Sequence, residues 1–394
     1  MNAALLHRLR TELDDRRART GLRRDLVVSG PQGPVLGVDG ETLVNLAAND
    51  YLGLAGDPEV LDAAQRAVRE LGLGVTAGRV LCGTREVHGR LEAAIAELVG
   101  TEDAALHGSC FDANLGVFDA LLGRDDVVFS DALNHASLID GIRLAPARRH
   151  VFPHADLDEL ERGLAGAADA RHRVIVTDGV FSMDGDIAPL PRLCELAERY
   201  DAVLVVDDSH ATGVLGVTGA GTAEHFGLAG RVDVLTGTLG KALGGGAGGF
   251  VAGSRAVVET VRQVSRPYVF TNAMAPALAV AALTAIGIAR RRPDLRERLA
   301  ANTAWLRGAL RDLGYEVLPG EHPIIPVMLR GGSLARDVSA ALRREGVLAF
   351  ALAHPVVPAG AERIRVQVSA AHTPAQLELA AAAFARARAV LAAA

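Results

Sequence analysis

Cysteine is scarce in this chain, and no metal-binding spacing accompanies it. The 394 residues include three cysteines, Cys82, Cys110 and Cys194, which stand far apart. An odd number at such spacing supplies neither a disulfide framework nor a paired set of metal ligands. We therefore predict no metal site and a reducing compartment, the cytoplasm.

Apolar runs of membrane-spanning length are also missing. Residues 1–10 lack the apolar core of a signal peptide. Residues 273–289 are uncharged, but they are short for a span and contain Pro276 and Gly287. We predict a buried helix there and no membrane partner.

Positive charge is not in excess. The formal net charge is −6, which gives no electrostatic footprint for nucleic acid, so no nucleic-acid partner is expected. Hydrophobic residues make up 49% and charged residues 22%, as in a globular protein. The length allows a large core and favours two domains.

Lysine is nearly absent, and this absence draws attention to one position. Lys241 is the only lysine, and it lies among the glycines and threonines of residues 236–246, just after the strand-like residues 232–235. Glycine and threonine in such a loop suit a phosphate, and an amine there can form a Schiff base with a carbonyl cofactor. A solvated surface charge is the alternative; the avoidance of lysine elsewhere favours catalysis.

A second polar cluster follows a predicted buried strand. Residues 203–206 are mostly β-branched, and Asp207, Asp208 and His210 come directly after them. Open α/β sheets bind ligands at the carboxyl ends of their strands. Together with Lys241, this cluster supplies the amine and carboxylate that pyridoxal 5'-phosphate (PLP) requires.

The alternation of strands and helices predicts an α/β fold. From about residue 100 to about residue 250 it indicates a mostly parallel sheet with helices on both faces. After Pro293 the pattern is that of a small α+β domain. We predict an N-terminal helix and strand segment (1–50), a large cofactor-binding domain (51–292) and a C-terminal α+β domain (293–394).

The pattern also predicts individual elements. Predicted helices cover 4–20, 58–71, 86–99, 190–200, 294–313, 334–345 and 373–392, and predicted strands cover 41–46, 104–106, 126–130, 173–178, 315–319, 322–329 and 363–368.

Several polar residues carry two interpretations from their context alone. Arg79 and Thr84 could hold an anion or form a loop salt bridge. His135 is either a ring-stacking residue or a helix cap. Arg363 and Arg365 share one face of a predicted strand, where an arginine could clamp a substrate carboxylate or form a surface ion pair.

Taken together, the motifs resemble those of the α-oxoamine synthases, which are fold-type I PLP enzymes. The glycine C-acetyltransferase branch is the most similar, through residues 265–268, 324–329 and 355–358. The resemblance covers roughly residues 45–375. The motifs that carry it are residues 48–54, 109–114, 130–137, 178–185, 206–210, 236–246 and 369–373.

The resemblance implies a role for each matching position. Lys241 would bind the cofactor covalently and act as acid and base at the amino acid Cα, and Asp207 would pair with the pyridinium nitrogen. Asn49 and Arg365 would contact the amino acid substrate, and Thr271 would come from the other subunit of a homodimer. The implied catalytic residues are Lys241, His135, Asp207 and His210, and the implied cofactor-binding residues are Ser109, Cys110, Phe111, His135, Ser182, Asp207, His210, Thr238, Lys241 and Thr271.

The implied reaction is condensation of glycine, or another small amino acid, with an acyl-CoA, acetyl-CoA being favoured. Departures at Asp50, residues 75–80 and His354 leave the acyl donor open. The alternatives are another acyl-CoA and amino acid pair, as in 8-amino-7-oxononanoate synthase, a plain aminotransferase, or a non-catalytic partner subunit. The presence of both Lys241 and Asp207 disfavours the last.

Overall fold

The computed structural model describes residues 2–19, 25–244, 246–354 and 356–392. Its strands are β1 (Val28–Ser29), β2 (Val35–Val38), β3 (Glu41–Asn45), β4 (Asp103–His107), β5 (Val127–Asp131), β6 (Arg148–Phe152), β7 (Arg173–Asp178), β8 (Ala202–Asp207), β9 (Val234–Thr238), β10 (Gly249–Gly253), β11 (Glu316–Val317), β12 (Ile324–Met328), β13 (Val347–Leu348), β14 (Phe350–Leu352) and β15 (Arg363–Gln367). Its helices are α1 (Ala3–Arg19), α2 (Pro58–Leu71), α3 (Glu86–Val99), α4 (Cys110–Leu121), α5 (Ala136–Leu144), α6 (Leu157–Gly166), α7 (Leu190–Arg199), α8 (Thr222–His225), α9 (Arg255–Val264), α10 (Arg266–Val269), α11 (Pro276–Arg291), α12 (Asp294–Asp312), α13 (Gly332–Arg344) and α14 (Pro374–Ala392).

A central sheet organises the described chain. Its strand order is β4-β10-β9-β8-β7-β5-β6, and β5 to β9 run parallel. β10 runs antiparallel to both β4 and β9, so the sheet is mostly parallel, as the alternating pattern predicts. Because β10 returns beside β9 without a crossover helix, the loop between them is held at both ends by the sheet.

Two smaller sheets flank the central one in the described part of the chain. Their strand orders are β1-β2-β3-β13 and β11-β12-β15-β14. β3, near the N-terminus, pairs in parallel with β13 in the C-terminal third. The N-terminal strands therefore pack with the C-terminal region, and the division at residues 50 and 292 stays a prediction.

Helix α11 occupies the position of the predicted buried helix. Ala279, Ala282 and Ala285 on this helix are fully buried. Small side chains let α11 pack closely against α2 and α3. Across the described ranges, no helix is long and apolar enough to cross a membrane.

Element bounds agree best where the apolar period is strong. α2 and α3 begin and end at the predicted residues, as does β7. β10 was not predicted, because its Gly-rich sequence gives a weak strand pattern. The predicted segments include some residues that lie outside the described ones, namely 1, 20–24, 245, 355 and 393–394.

Arg79 forms the salt bridge that was one of its two interpretations. Its Nη1 and Nη2 donate to the two Glu92 carboxylate oxygens at 2.9 and 3.0 Å, and its Nε donates to Thr84 Oγ1 at 3.1 Å. Glu92 also accepts from the backbone N–H of Leu106 at 3.0 Å. This buried bidentate pair joins α3, β4 and the irregular turn Arg79–Gly83.

Replacing Glu92 tests the structural role of this pair. We expect Glu92→Ala to lower the free energy of unfolding by about 3–5 kcal/mol, because it leaves the Arg79 charge buried without a partner. Urea denaturation measures the change. Glu97→Ala, on an exposed face of α3 and paired with Arg290, is the matched control and should have a much smaller effect. Equal midpoints for the two variants would contradict the assignment.

Candidate active site

Two carboxylates meet at the carboxyl edge of the central sheet. Asp178 ends β7 and Asp207 ends β8, and the two residues are register partners. Asp207 is 3% exposed; its Oδ2 accepts from Asn114 Nδ2 at 2.7 Å and its Oδ1 from the Ser209 backbone N–H at 2.9 Å. The Asp207 carboxylate is therefore fixed in orientation while it lines a cavity.

Asp178 has a different environment. Burial, and then the neighbouring charge of Asp207, raise the pKa of Asp178 well above its ordinary value. Its Oδ2 accepts from the backbone N–H of His135 at 2.8 Å, which positions the start of α5. Like charges in a buried site favour protonation of one member, and Asp178 is the member shifted that way.

Lys241 lies in the loop between β9 and β10, with its amine directed at His210. The Nζ is 3.0 Å from His210 Nε2. Burial lowers the pKa of Lys241, while Asp207 and then Cys110 oppose the shift. A lowered pKa increases the fraction of neutral amine, which is the nucleophilic form.

A directional hydrogen-bond series extends from Lys241 into the protein. Tyr51 OH lies 2.7 Å from His210 Nδ1 and 3.0 Å from Gln367 Oε1. Gln367 Oε1 only accepts, so Tyr51 O–H donates to it and His210 Nδ1–H donates to Tyr51. His210 Nε2 is then the acceptor for the Lys241 amine.

The environment of His210 supports the neutral form of its imidazole. Burial, and then the positive charge of Lys241, lower the pKa of His210 well below its ordinary value. His322 Nε2 donates to the His210 backbone carbonyl at 2.9 Å, and burial lowers the pKa of His322 to about 3. His210 is therefore a neutral, tightly held acceptor beside the amine.

The first turn of α4 forms another wall of the site. Ser109 caps the helix by accepting from the Asp112 backbone N–H at 3.1 Å. The early N–H groups of a helix lack partners within the helix and carry partial positive charge, which suits a phosphate. The cavity holds about 240 Å³ and is lined by Ser109, Cys110, Phe111, His135, Ser137, Asp178, Ser182, Asp207, Ser209, His210, Thr238 and Lys241.

His135 is the helix cap that was one of its two interpretations, and stacking on a cofactor ring stays a prediction. It occupies the N-cap position of α5, where its Nδ1 lies 2.7 Å from Ser137 Oγ. Its ring also lines the cavity, with its centroid 6.5 Å from that of Phe111. Helix capping thus fixes the imidazole at the cavity wall.

The glycines of the lysine loop have separate causes. A Cβ on Gly237 would approach the Phe250 ring to 2.5 Å, and Gly244 has a φ of +56° with backbone atoms of Leu54 within 2.9 Å of its Cβ position. Both positions need glycine because a Cβ would clash with another part of the same chain. At Gly240 a Cβ would meet no atom closer than 3.5 Å, which is ordinary van der Waals contact, so packing within the chain does not require glycine there.

Three of the predicted site residues do not line the cavity. Arg365 Nη1 donates to the carbonyl of Ser182 at 3.0 Å, which places the half-buried guanidinium next to the cavity wall. Asn49 Oδ1 lies 3.4 Å from Tyr51 OH. Thr271 is exposed and stands apart from the cavity of its own chain.

The two arginines on β15 have different partners. Arg363 is 3% exposed and forms an ion pair with Asp184. Arg365 makes no ion pair within the described residues, and burial lowers its pKa while Tyr51 opposes the shift. The uncompensated guanidinium is therefore Arg365.

Sequence reasoning missed four side chains that organise the site. Three of them belong to motifs that carry the resemblance but had no role assigned, namely Tyr51, Asn114 and Asp178. The signal that could have found them is a position close to a glycine or at the end of a predicted strand. Gln367 gave no signal, because its partner Tyr51 is 316 residues away in sequence.

The residues that depart from the family pattern do not line this cavity. Asp50 is buried and its Oδ1 accepts from the backbone N–H of Leu54 at 2.9 Å, so it closes the turn that carries Tyr51. Burial raises its pKa, and backbone hydrogen bonds oppose the shift. His354 is exposed.

Comparisons with known proteins agree with this geometry. The family model for aminotransferase class I and II matches residues 41–384. The chain is 45% identical to a 2-amino-3-ketobutyrate coenzyme A ligase of Salmonella typhimurium over 98% of both chains. It is 44% identical to an 8-amino-7-oxononanoate synthase of Exiguobacterium sibiricum, over 95% of this chain and 96% of that one.

A solved structure extends the comparison to three dimensions. Serine palmitoyltransferase from S. paucimobilis, with a bound PLP–myriocin aldimine, superposes with a TM-score of 0.93 at 30% identity and full coverage of both chains. The chain belongs to the aminotransferase class I and II family, as a glycine C-acetyltransferase-like α-oxoamine synthase of fold type I. The family that its motifs predict is confirmed.

A histidine braces the two loops that carry His135 and Ser182. His154 Nδ1 lies 3.0 Å from Asp131 Oδ1, and its Nε2 lies 2.9 Å from Asp186 Oδ2. Burial lowers the pKa of His154, but the hydrogen bonds to Asp131 and Asp186 outweigh it and raise the pKa to about 10. The bridging imidazole is therefore positively charged near neutral pH.

This brace predicts a pH-dependent contribution to stability. Because the folded pKa lies above the unfolded value, the contribution is complete below about pH 6.5 and is lost as the pH rises towards about 10. We expect His154→Gln to cost about 2 kcal/mol near pH 6 and less near pH 9.5. Thermal unfolding at both pH values measures the gap.

His150→Gln provides the matched control, since His150 lies on β6 and is 3.6 Å from a single carboxylate, that of Glu159. A gap between wild type and His154→Gln that widens as pH rises would contradict the charged bridge.

Proposed function

We propose that this chain is a PLP-dependent enzyme that condenses glycine with acetyl-CoA to give 2-amino-3-ketobutyrate and CoA. The reverse direction is the cleavage used in threonine breakdown. The observation that carries the proposal is the half-buried Lys241, whose amine faces neutral His210, with Asp207 on the same cavity. The site residues fit PLP, since an amine, a carboxylate and a helix N-terminus surround one small cavity.

Lys241 has two tasks in this proposal. It supplies the amine to which the cofactor attaches, and after glycine takes that place it moves the proton at the glycine Cα. Burial lowers the pKa of Lys241, so that the amine can accept this proton. The contact with His210 Nε2 fixes its direction.

Asp207 would hold the proton on the cofactor's ring nitrogen. Bound PLP supplies the electron sink that makes loss of the Cα proton possible. Asn114 and the Ser209 N–H hold the two Asp207 oxygens in place. His135, Ser182 and His210 line the same cavity; His135 would stack on the ring, and His210 and Ser182 would hold its phenolic oxygen.

Ser109, Cys110, Phe111 and Thr238 form the proposed phosphate cup. Thr271 of a second copy completes it. The exposure of Thr271, and the fact that it does not line the cavity of its own chain, support this homodimeric arrangement. We place the enzyme in the cytoplasm, as the cysteine usage predicts.

Arg365 binds the carboxylate of the amino acid. It has no acidic partner in the described part of the chain, and it reaches the cavity wall at Ser182. Asn49 would lie near the reacting groups, because its Oδ1 is 3.4 Å from the OH of Tyr51, which in turn contacts His210. The glycine Cα would then form a bond to the acetyl carbonyl carbon as the C–S bond breaks, and CoA would leave with the proton that Lys241 had removed.

The alternative is that the enzyme uses a different acyl donor in place of acetyl-CoA. The 44% identity to an 8-amino-7-oxononanoate synthase, close to the 45% with the ligase, supports keeping a longer acyl-CoA with alanine as the competing assignment.

A panel of substrates separates these assignments. We expect kcat/KM to fall from acetyl- through propionyl-, butyryl- and hexanoyl- to pimeloyl-CoA, each unaccommodated methylene costing about 1–3 kcal/mol. Release of CoA with glycine, alanine and serine measures it. A rate that rises with chain length, or alanine preferred over glycine, overturns the acetyl-CoA and glycine assignment and leaves the site residues in place.

Replacing Asp207 tests the role of its charge. We expect Asp207→Asn to retain cofactor but lose at least about tenfold in kcat, which corresponds to about 1.4 kcal/mol of barrier. Asp178→Asn is the matched control, because burial already favours the neutral form of Asp178, and its loss should be smaller. If Asp207→Asn keeps its rate within about threefold, the assignment is wrong.

A further inference from the structure

A second and larger cavity lies outside the site described above. It holds about 710 Å³ and contains none of the residues assigned to the reaction. One wall is the segment Val214–Val217 and another is a face of α12. This volume is sufficient for a small organic molecule.

The sequence of α12 explains why the cavity is open and partly apolar. Leu299, Thr303 and Arg307 face it at helical spacing. Ala300 and Ala304 lie beside them and are too small to fill the space. Leu215 supplies an apolar surface on the wall formed by Val214–Val217.

One end of the cavity carries uncompensated positive charge. Arg307 is 5% exposed, and its Nη groups donate only to backbone carbonyls, those of Leu318, His322 and Ile324. Its Nε has no acceptor among the described residues. Burial, and then the charge of Arg311 one turn on, lower the pKa of Arg307 to about 10.

The carboxylates of the cavity are already engaged elsewhere. Glu224 accepts from the Thr218 and Ala220 backbone N–H groups at 3.0 Å. Glu321 pairs with His225 at 3.2 Å. Neither forms an ion pair with Arg307 or Arg311 in the part of the chain that the structure describes, so an anionic partner would have to come from outside.

We propose that this cavity binds a small organic anion with an apolar body. Its charged group lies against Arg311 and Arg307, and its apolar part packs between Leu215 and Leu299. Arginine binds carboxylate, sulfonate and phosphate oxygens through charge-assisted hydrogen bonds. The ligand is thus recognised by charge at one end and by buried apolar area along its length.

A matched pair of fluorescent probes tests the proposal on the holoenzyme. The probes are 8-anilinonaphthalene-1-sulfonate and its neutral counterpart N-phenyl-1-naphthylamine. We expect the sulfonate to bind one site per chain at the cavity, and to bind at least about tenfold more weakly in Arg311→Gln and in Ala300→Trp, which fills the space.

Two variants on other faces of α12 serve as controls. Arg298→Gln removes an exposed arginine, and Ala301→Trp places the same indole outside the cavity. Both should bind the sulfonate as wild type does, and all four should keep the wild-type Tm. Equal sulfonate affinity in Ala300→Trp and Ala301→Trp overturns the site, and equal affinity of wild type for the neutral and anionic probes overturns the role of charge.

Discussion

A half-buried lysine whose amine faces a neutral imidazole is the interaction on which this site depends. Removing an ammonium group from water is costly, so the amine of Lys241 shifts towards its neutral form. His210 can accept a hydrogen bond from the Lys241 amine only while its own Nε2 is unprotonated. Burial of His210 and the fixed donor direction from Tyr51 to Gln367 both maintain that state.

The fold supplies the geometry for this contact. β8 delivers Asp207 and, shortly after it, His210, while the antiparallel return of β10 beside β9 holds the Lys241 loop over the same sheet edge. Lys241, His210 and Asp207 are therefore presented by neighbouring strands rather than by a flexible segment.

Much of the architecture could be predicted because it is local. Apolar period and glycine punctuation gave α2, α3 and β7 to the residue, and the isolated lysine marked the site. The Tyr51–Gln367 contact could not be predicted, since it joins residues 316 apart and depends on packing between distant segments. β10 gave too weak a pattern. Strand spacing alone did not separate Arg365 from Arg363; the family resemblance selected Arg365, and the ion pair between Arg363 and Asp184 gives a physical reason for that choice.

The most direct test of the account uses the fact that Lys241 is the only lysine in the chain. Borohydride reduction of the PLP-loaded protein followed by peptide mass spectrometry locates the amine that holds the cofactor. The account predicts one phosphopyridoxyl group per chain, on the peptide that contains Lys241, and none in Lys241→Ala. Recovery of the label at the N-terminal amine of the wild type, or a reducible adduct that persists in Lys241→Ala, would contradict it.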